Sequence, residues 1–127
     1  NAYEEGLRFR SPAQTVPRNT MDEMEYCGAQ FEQYDKVVTF VGSANRDPGR
    51  WEDPDRFDID RKTGGHLGLG TGIHGCVGQM IARMEATHVL GELARQAGDV
   101  TLGPEPHELL PTGRGLKTLP ITITPRG

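Results

Sequence analysis

Cys76 stands in a glycine-rich segment, residues 70–78, immediately before a long helical pattern. Glycine lacks a Cβ atom, so backbone around the sulfur can approach a flat ligand closely and adopt conformations closed to other residues. At the start of a helix, free N–H groups and the positive end of the helix dipole favour a thiolate over a thiol. A thiolate is the form of cysteine that binds iron. The segment therefore predicts a cysteine presented to a metal.

Three other interpretations of this segment are disfavoured. A single cysteine is often only a small buried side chain, but the glycine spacing and the helix start favour a ligand. Zinc bound by His66, His74 and Cys76 is disfavoured because structural zinc usually has four closely spaced nitrogen or sulfur ligands. A dinucleotide site is also disfavoured, since Gly70 and Gly72 lack a preceding buried strand and a correctly spaced third glycine.

The residues after the cysteine have the periodicity of an amphipathic helix. Apolar side chains recur every three or four positions, which predicts a helix over residues 77–97 with one buried face, ended by Gly98. The apolar residues that form this pattern are Val77, Met80, Ile81, Met84, Ala86, Val89, Leu90, Leu93 and Ala97.

The other elements are shorter. A helix over residues 1–10 is predicted to end at Ser11-Pro12, because the residue before proline avoids the helical conformation. Short strands are expected between residues 13 and 43, with a hairpin turn at Cys27-Gly28. One of these strands covers residues 36–41, with Val37, Val38, Phe40 and Val41 buried.

An irregular meander and a closing hairpin complete the predicted organisation. The meander covers residues 44–68, which are rich in Asp, Arg, Pro and Gly, and Trp51 and Phe57 are its expected anchors. A strand at residues 119–124 is expected to close the edge of the fold as part of a hairpin.

The spacing Gly70-x-Gly72-x-His74-x-Cys76-x-Gly78 resembles the haem-ligand loop of the cytochrome P-450 monooxygenases, in which a cysteine thiolate binds the haem iron. The resemblance implies that Cys76 is the catalytic iron ligand of heme b. It also implies that the neighbouring positions contact the cofactor, namely Leu69, Gly70, Gly72, His74 and Gly78. The family usually has Phe where this chain has Leu69, which implies altered redox tuning. Arg18 falls where many bacterial members place an arginine on a haem propionate, and His74 is the other expected propionate partner.

A second part of the resemblance concerns buried charges. Glu5 and Arg8 resemble the Glu-x-x-Arg helix of the family, and the segment at residues 54–57 resembles the one that supplies a second arginine. The resemblance implies a buried structural triad of Glu5, Arg8 and Arg56. A carboxylate can accept from two guanidinium groups without leaving a buried charge unpaired.

The implied fold is mixed α and β, the C-terminal part of the mainly α cytochrome P-450 fold. Residues 1–127 would form the C-terminal haem-binding portion of a single larger domain whose N-terminal portion is absent, since the chain begins without Met. We expect the 127 residues to be poorly stable alone, because 17 glycines and 9 prolines make the chain rich in loops.

The implied function is O2-dependent hydroxylation or O-demethylation of a small aromatic substrate, with electrons from NAD(P)H through a reductase and a small iron–sulfur ferredoxin. The substrate class rests on residues 42–48, 61–66 and 77–79, which are similar to soluble bacterial members that O-demethylate para-substituted benzoates. By the same resemblance, the substrate pocket is expected to be lined by Ala13, Gln14, Thr15, Val16, Leu110 and Pro111.

Composition limits the other function classes. A net charge of −4 with no run of Lys or Arg disfavours nucleic acid as a partner, and no stretch approaches the roughly 20 apolar residues of a membrane span. A reduced Cys76 would suit the cytoplasm. Two alternatives stay open: a truncated relative that acts as a structural or interaction fragment, and a peroxygenase that uses peroxide directly.

Overall fold

A computed structural model of the chain describes residues 1–103 and 115–127. It contains helices and small antiparallel sheets, so the predicted mixed α and β character is confirmed. A 3₁₀ turn, Gly72–His74, precedes the longest helix. In chain order the other elements are α1 (Ala2–Phe9), β1 (Val16–Asn19), β2 (Met24–Tyr26), β3 (Ala29–Phe31), β4 (Lys36–Thr39), α2 (Val41–Ala44), α3 (Gln79–Gln96), β5 (Ala97–Leu102) and β6 (Ile121–Pro125).

The strands of the described residues form three antiparallel pairs: β1 with β4, β2 with β3, and β5 with β6. The β2–β3 hairpin turns at Cys27 and Gly28, as predicted, and the φ angles of these residues are 52° and 80°. Two consecutive positive φ angles are typical of a two-residue turn that matches the twist of the strands. The β5–β6 pair brings Leu102 opposite Ile121 and confirms that a strand near the end of the chain pairs in a sheet, although β6 begins at Ile121 and not at residue 119.

The strand predicted over residues 36–41 is shorter than expected. β4 ends at Thr39, because α2 begins at Val41 and the intervening residue turns the chain. Val41 is buried, whereas Phe40 is 63% exposed and Val38 is also exposed. The predicted burial of Val38 and Phe40 is therefore wrong, and the apolar run is divided between a strand and a helix.

The core around α1 is rich in polar groups. Leu7, Val41 and Trp51 are buried, and so are the charged side chains of Glu5 and Arg8. Trp51 is an anchor of the meander, as predicted. Phe57 is 48% exposed, and its ring packs edge-on against Phe9 with the centroids 5.6 Å apart.

The long helix α3 forms close to its predicted bounds but ends before Gly98. Ala97 adopts an extended conformation and starts β5, so Gly98 lies in a strand. The apolar face of α3 is exposed, because within the described residues α3 packs mainly against α1 and β5. Its predicted burial is wrong for Val77, Met80, Ile81, Met84, Val89 and Leu90. Among the described residues, no helix is long and apolar enough to span a membrane.

Candidate cofactor site at the cysteine loop

A cavity of about 460 Å³ lies beside the segment that carries Cys76. It is bounded by the segment after α1, by β1 and β4, and by the loop before α3. The structure thus places Arg18, which is distant in the sequence, beside the same cavity as His74 and Cys76. The lining residues are Ala13, Val16, Arg18, Thr39, Val41, Leu67, Gly68, Leu69, Gly70, Thr71, His74 and Cys76.

The cysteine loop is closed by its own backbone. The N–H of Cys76 donates to the carbonyl of Leu69 at 2.8 Å, and Gln79 N–H donates to the carbonyl of Cys76 at 3.2 Å. Gly70 has a φ of 71°, and a Cβ atom at this position would lie 2.5 Å from the carbonyl oxygen of His74. The loop therefore requires glycine at residue 70, and it leaves the Cys76 side chain exposed just before α3.

The residues present fit a flat, largely apolar cofactor that carries iron and carboxylates. Val16, Val41 and Leu69 supply apolar surface in the cavity, and the glycines leave backbone uncovered. Cys76 is a free thiol, and Arg18 and His74 can donate to carboxylates. In residues 1–103 and 115–127, no three His, Cys, Asp or Glu side chains are grouped so that they could hold a metal ion.

The predicted substrate-pocket residues are only partly brought together. Ala13 and Val16 line the cavity, whereas Gln14 and Thr15 do not. The side-chain amide of Gln14 donates to the carbonyl of Ser11, and Gln14 lines a separate cavity together with Ser11 and Gly42. The predicted positions Leu110 and Pro111 lie outside the described residues.

Gly78 occupies the N-cap position of α3 and does not line the cavity. A Cβ atom at Gly78 would lie 3.9 Å from the sulfur of Cys76. Gly78 is therefore close to the sulfur, on the side where the helix begins.

The buried charge cluster contains a different arginine from the predicted one. Arg8 donates to both oxygens of Glu5 at 2.8 Å, and Arg61 Nε lies 3.3 Å from Glu5 Oε1. The side chain of Arg56 is 68% exposed and pairs with Asp58 at 3.3 Å. The prediction of Arg56 as the third charged member is wrong, because this segment turns the Arg56 carbonyl, not its guanidinium, toward Arg8.

The carboxylate of Glu5 is ionised despite its burial. Burial alone would raise its pKa, but hydrogen bonds from Arg8, the Asp58 N–H and Arg61, with the charge of Arg8, lower the pKa of Glu5 to about 2. Every oxygen of this carboxylate has a donor, so the cluster meets the requirement for a buried charge.

Sequence reasoning missed the role of Asn45. This residue is 1% exposed, and its Oδ1 accepts the N–H of Leu67 at 2.8 Å. Its Nδ2 donates to Ser11 Oγ at 2.7 Å, and its carbonyl accepts from Arg8 at 2.8 Å. Asn45 thus connects the charge cluster to the approach of the cysteine loop. An asparagine directly after the short apolar stretch Val41–Ala44 was the available sequence signal.

Comparison with known proteins identifies the relatives of this chain. The family model described as Cytochrome P-450 matches residues 1–96. Cytochrome P-450 CYP199A2 of Rhodopseudomonas palustris is 52% identical over 126 residues, which cover 98% of this chain and 31% of the relative. The 6-deoxyerythronolide B hydroxylase of Saccharopolyspora erythraea is 37% identical, over 97% of this chain and 31% of the relative. The chain therefore spans about a third of the length of these relatives.

Solved structures show the same similarity. Substrate-free CYP109E1 from Bacillus megaterium superimposes with a TM-score of 0.88 at 35% identity, over 98% of this chain and 33% of that one. The three pairs of strands and the helices described above therefore have the arrangement of part of that fold.

Proposed function

Because the chain belongs to the cytochrome P-450 family, we propose that Cys76 is the thiolate ligand of a heme b iron and that the whole protein is an O2-dependent monooxygenase. The observation that carries this proposal is the cavity in which the exposed Cys76 meets Arg18 and His74. Since the chain spans about a third of its relatives, the activity is proposed for the whole protein, not for these residues alone.

The residues of this chain would hold the cofactor by charge and by close backbone approach. Arg18 and His74 would donate to the propionate carboxylates. Leu69 would contact the ring through apolar surface, and Gly70, Gly72 and Gly78 would let backbone approach the ring and the sulfur. The start of α3 just after Cys76 would favour its thiolate form.

When bound, a haem with a thiolate ligand activates O2, so that one oxygen atom enters the substrate and the other leaves as water. The reaction consumes two electrons and two protons. We propose NAD(P)H as the source of the electrons, delivered by a reductase and a small iron–sulfur ferredoxin. A thiolate ligand must stay reduced, which supports a cytoplasmic location.

For the substrate, we propose a small aromatic ether such as a para-substituted methoxybenzoate. Ala13 and Val16 give the cavity small apolar side chains suited to an aromatic ring. Hydroxylation of the methyl carbon would give a hemiacetal, which releases formaldehyde and leaves the phenol. The stretches at residues 42–48, 61–66 and 77–79, which resemble aryl ether O-demethylases, support this class.

Thiolate ligation is tested with the reduced carbon monoxide complex of the whole protein, loaded with haem. The wild type should show a strongly red-shifted Soret band. We expect Cys76→Ser to abolish this band, because a serine hydroxyl does not replace the thiolate. Cys27→Ser is the matched control, since Cys27 is also free and exposed but lies at the β2–β3 turn. A Cys76→Ser protein that keeps the red-shifted band would contradict the proposal.

The substrate class is tested separately by adding para-methoxybenzoate to the haem-loaded protein with a ferredoxin and its reductase. We expect a change in the spin state of the iron. We also expect one molecule of formaldehyde for each NAD(P)H that is consumed in product formation. The isosteric para-ethylbenzoate serves as a control, because it can be hydroxylated but has no ether to cleave. A protein that has the thiolate spectrum but gives neither response to aryl ethers would refute this substrate class alone.

A further inference from the structure

His66 connects the approach to the cysteine loop with α1. Its side chain is 5% exposed, and its Nε2 lies 2.8 Å from Glu4 Oε2 on α1. Its Nδ1 accepts the backbone N–H of Gly68 at 3.0 Å. Because Nδ1 accepts a hydrogen bond, the ring proton must be on Nε2, where it is donated to Glu4. The carboxylate of Glu4 therefore selects the tautomer that can hold Gly68.

The same carboxylate connects His66 to the helix that follows Cys76. Glu4 Oε1 accepts from Arg83 Nε on α3 at 2.6 Å. Arg83 Nη1 in turn donates to Oε1 of Gln79, the first residue of α3, at 2.7 Å. The hydrogen bond from Arg83 lowers the pKa of Glu4, in spite of burial, and the bond to His66 lowers it further.

Gly68 has little freedom to move. A Cβ atom there would lie 2.6 Å from the carbonyl oxygen of Leu7, so α1 packs directly on its backbone. The preceding amide, that of Leu67, donates to Asn45. The following residue, Leu69, provides the carbonyl that accepts the Cys76 N–H at 2.8 Å. Gly68 directly precedes Leu69, so a shift of the Gly68 amide would also shift the carbonyl that accepts the Cys76 N–H.

We propose that His66 is a positioning residue for the iron ligand. Its Nδ1 holds the Gly68 amide, which keeps the Leu69 carbonyl on the Cys76 N–H and the sulfur directed at the cofactor. Glu4 and Arg83 orient the imidazole and tie the loop to the start of α3. This inference rests on the proposed function, since it concerns the ligation of haem by Cys76.

Two isosteric variants separate the two nitrogen atoms of His66. In His66→Asn, the amide oxygen occupies the place of Nδ1 and can still accept the Gly68 N–H, while the contact with Glu4 is lost. In His66→Gln, the amide nitrogen reaches the place of Nε2 and can still donate to Glu4, while the acceptor for Gly68 is lost. His66→Leu removes both.

The measurement is the rate at which the reduced carbon monoxide complex of the whole haem-loaded protein loses its red-shifted Soret band, with the thermal unfolding midpoint recorded in parallel. We expect His66→Asn to lose the band at close to the wild-type rate. His66→Gln should lose it about tenfold faster, because the partly buried Gly68 N–H would be left without an acceptor. His66→Leu should behave like His66→Gln or lose the band faster still.

The outcomes separate this inference from the proposed function. If the wild type has the red-shifted band and His66→Asn and His66→Gln lose it at equal rates, the positioning role is refuted while thiolate ligation stands. Equal rates with lowered unfolding midpoints in both variants would assign His66 a general structural role and also overturn the inference. A wild type without the band would contradict the proposed function, and this inference with it.

Discussion

The buried carboxylate of Glu5 makes the stability of the fold depend on pH in the acid range. Its pKa is lowered from 4.5 to about 2 in the folded chain, so the stabilisation is fully present above pH 4.5 and is lost as the pH falls toward 2. A shift of this size corresponds to about 3 kcal/mol. We expect the free energy of unfolding to fall by about that amount over this range, measured by urea titration of the whole protein.

Glu5→Gln is the matching variant for this pH dependence. It should be less stable at neutral pH, because Arg8 keeps its buried charge without a carboxylate. Its loss of stability between pH 4.5 and pH 2 should be clearly smaller than that of the wild type. Equal slopes for the two proteins would show that other carboxylates dominate acid unfolding.

Arg56, which the sequence predicted as a partner of Glu5, can be compared directly with Arg61, which the structure shows in that place. Arg61→Ala should cost about 1–3 kcal/mol of stability, because the guanidinium donates to Glu5 and to the carbonyls of Glu52, Asp53 and Arg56. Arg56→Ala should cost less than about 0.5 kcal/mol, because its exposed side chain is not needed for the carbonyl that Arg8 uses. Denaturant midpoints of both variants check the order, and the reverse order would restore Arg56 to the cluster.

At the scale of single residues, the sequence predicted which types of charged residue are buried better than it predicted which groups they pair with. Glu5 and Arg8 are adjacent on one face of α1, so their pairing follows from helix geometry. The choice between Arg56 and Arg61 depends on which way an irregular backbone turns, and no periodic rule governs that. The roles of Asn45 and His66 were not predicted for the same reason, because the fold brings the Leu67 N–H to Asn45 and the Glu4 carboxylate to His66.

At the scale of the elements, the cysteine loop predicts unequal effects of adding one methyl group. Gly70→Ala combines a φ of 71° with a Cβ atom 2.5 Å from the carbonyl of His74, whereas Gly72→Ala has a φ of 57° and no atom within 4 Å of the new Cβ. We expect Gly72→Ala to destabilise the fold by about 1 kcal/mol through the unfavourable φ angle alone. Gly70→Ala should cost about 1–3 kcal/mol more, because its Cβ atom would also be overpacked.

These two variants are compared by thermal unfolding and by the fraction of the whole protein that retains haem. Gly64→Ala is a suitable control, because no atom lies within 4 Å of its Cβ position and its φ is not positive. If Gly70→Ala and Gly72→Ala proved equally stable, the close approach of residue 70 to His74 would not constrain the loop.

The elements that were predicted well are those with local signals. The Cys27-Gly28 turn and α3 follow from turn chemistry and helical periodicity, which act within a few residues. The end of α3 was predicted less well, because pairing between β5 and β6 draws Ala97 into a strand. Ala97 pairs with Pro125, which is distant in the sequence, so the residues next to Gly98 carry no indication of this pairing.

At the scale of the whole molecule, the chain has a small core and a large exposed apolar surface. Among the described residues, the buried apolar side chains are Leu7, Val41, Trp51 and Ala97. Met80, Ile81 and Met84 form a contiguous patch on α3, and they are 74%, 58% and 56% exposed. The helical pattern correctly identified an apolar face, but burial of that face requires a surface that the described residues do not provide.

We therefore expect the 127-residue chain on its own to self-associate and to bind a hydrophobic dye such as ANS. Exposed apolar patches of this kind promote association, and burying one large apolar side chain contributes about 1.5–3 kcal/mol. Replacing Met80 and Met84 with Lys should reduce dye fluorescence and shift the sedimentation profile toward the monomer. Met21→Lys is the control, because Met21 is 70% exposed but precedes β2 and does not belong to the α3 patch. A chain that stays monomeric over a hundredfold range of concentration and binds no dye would show that α3 is covered by its own residues.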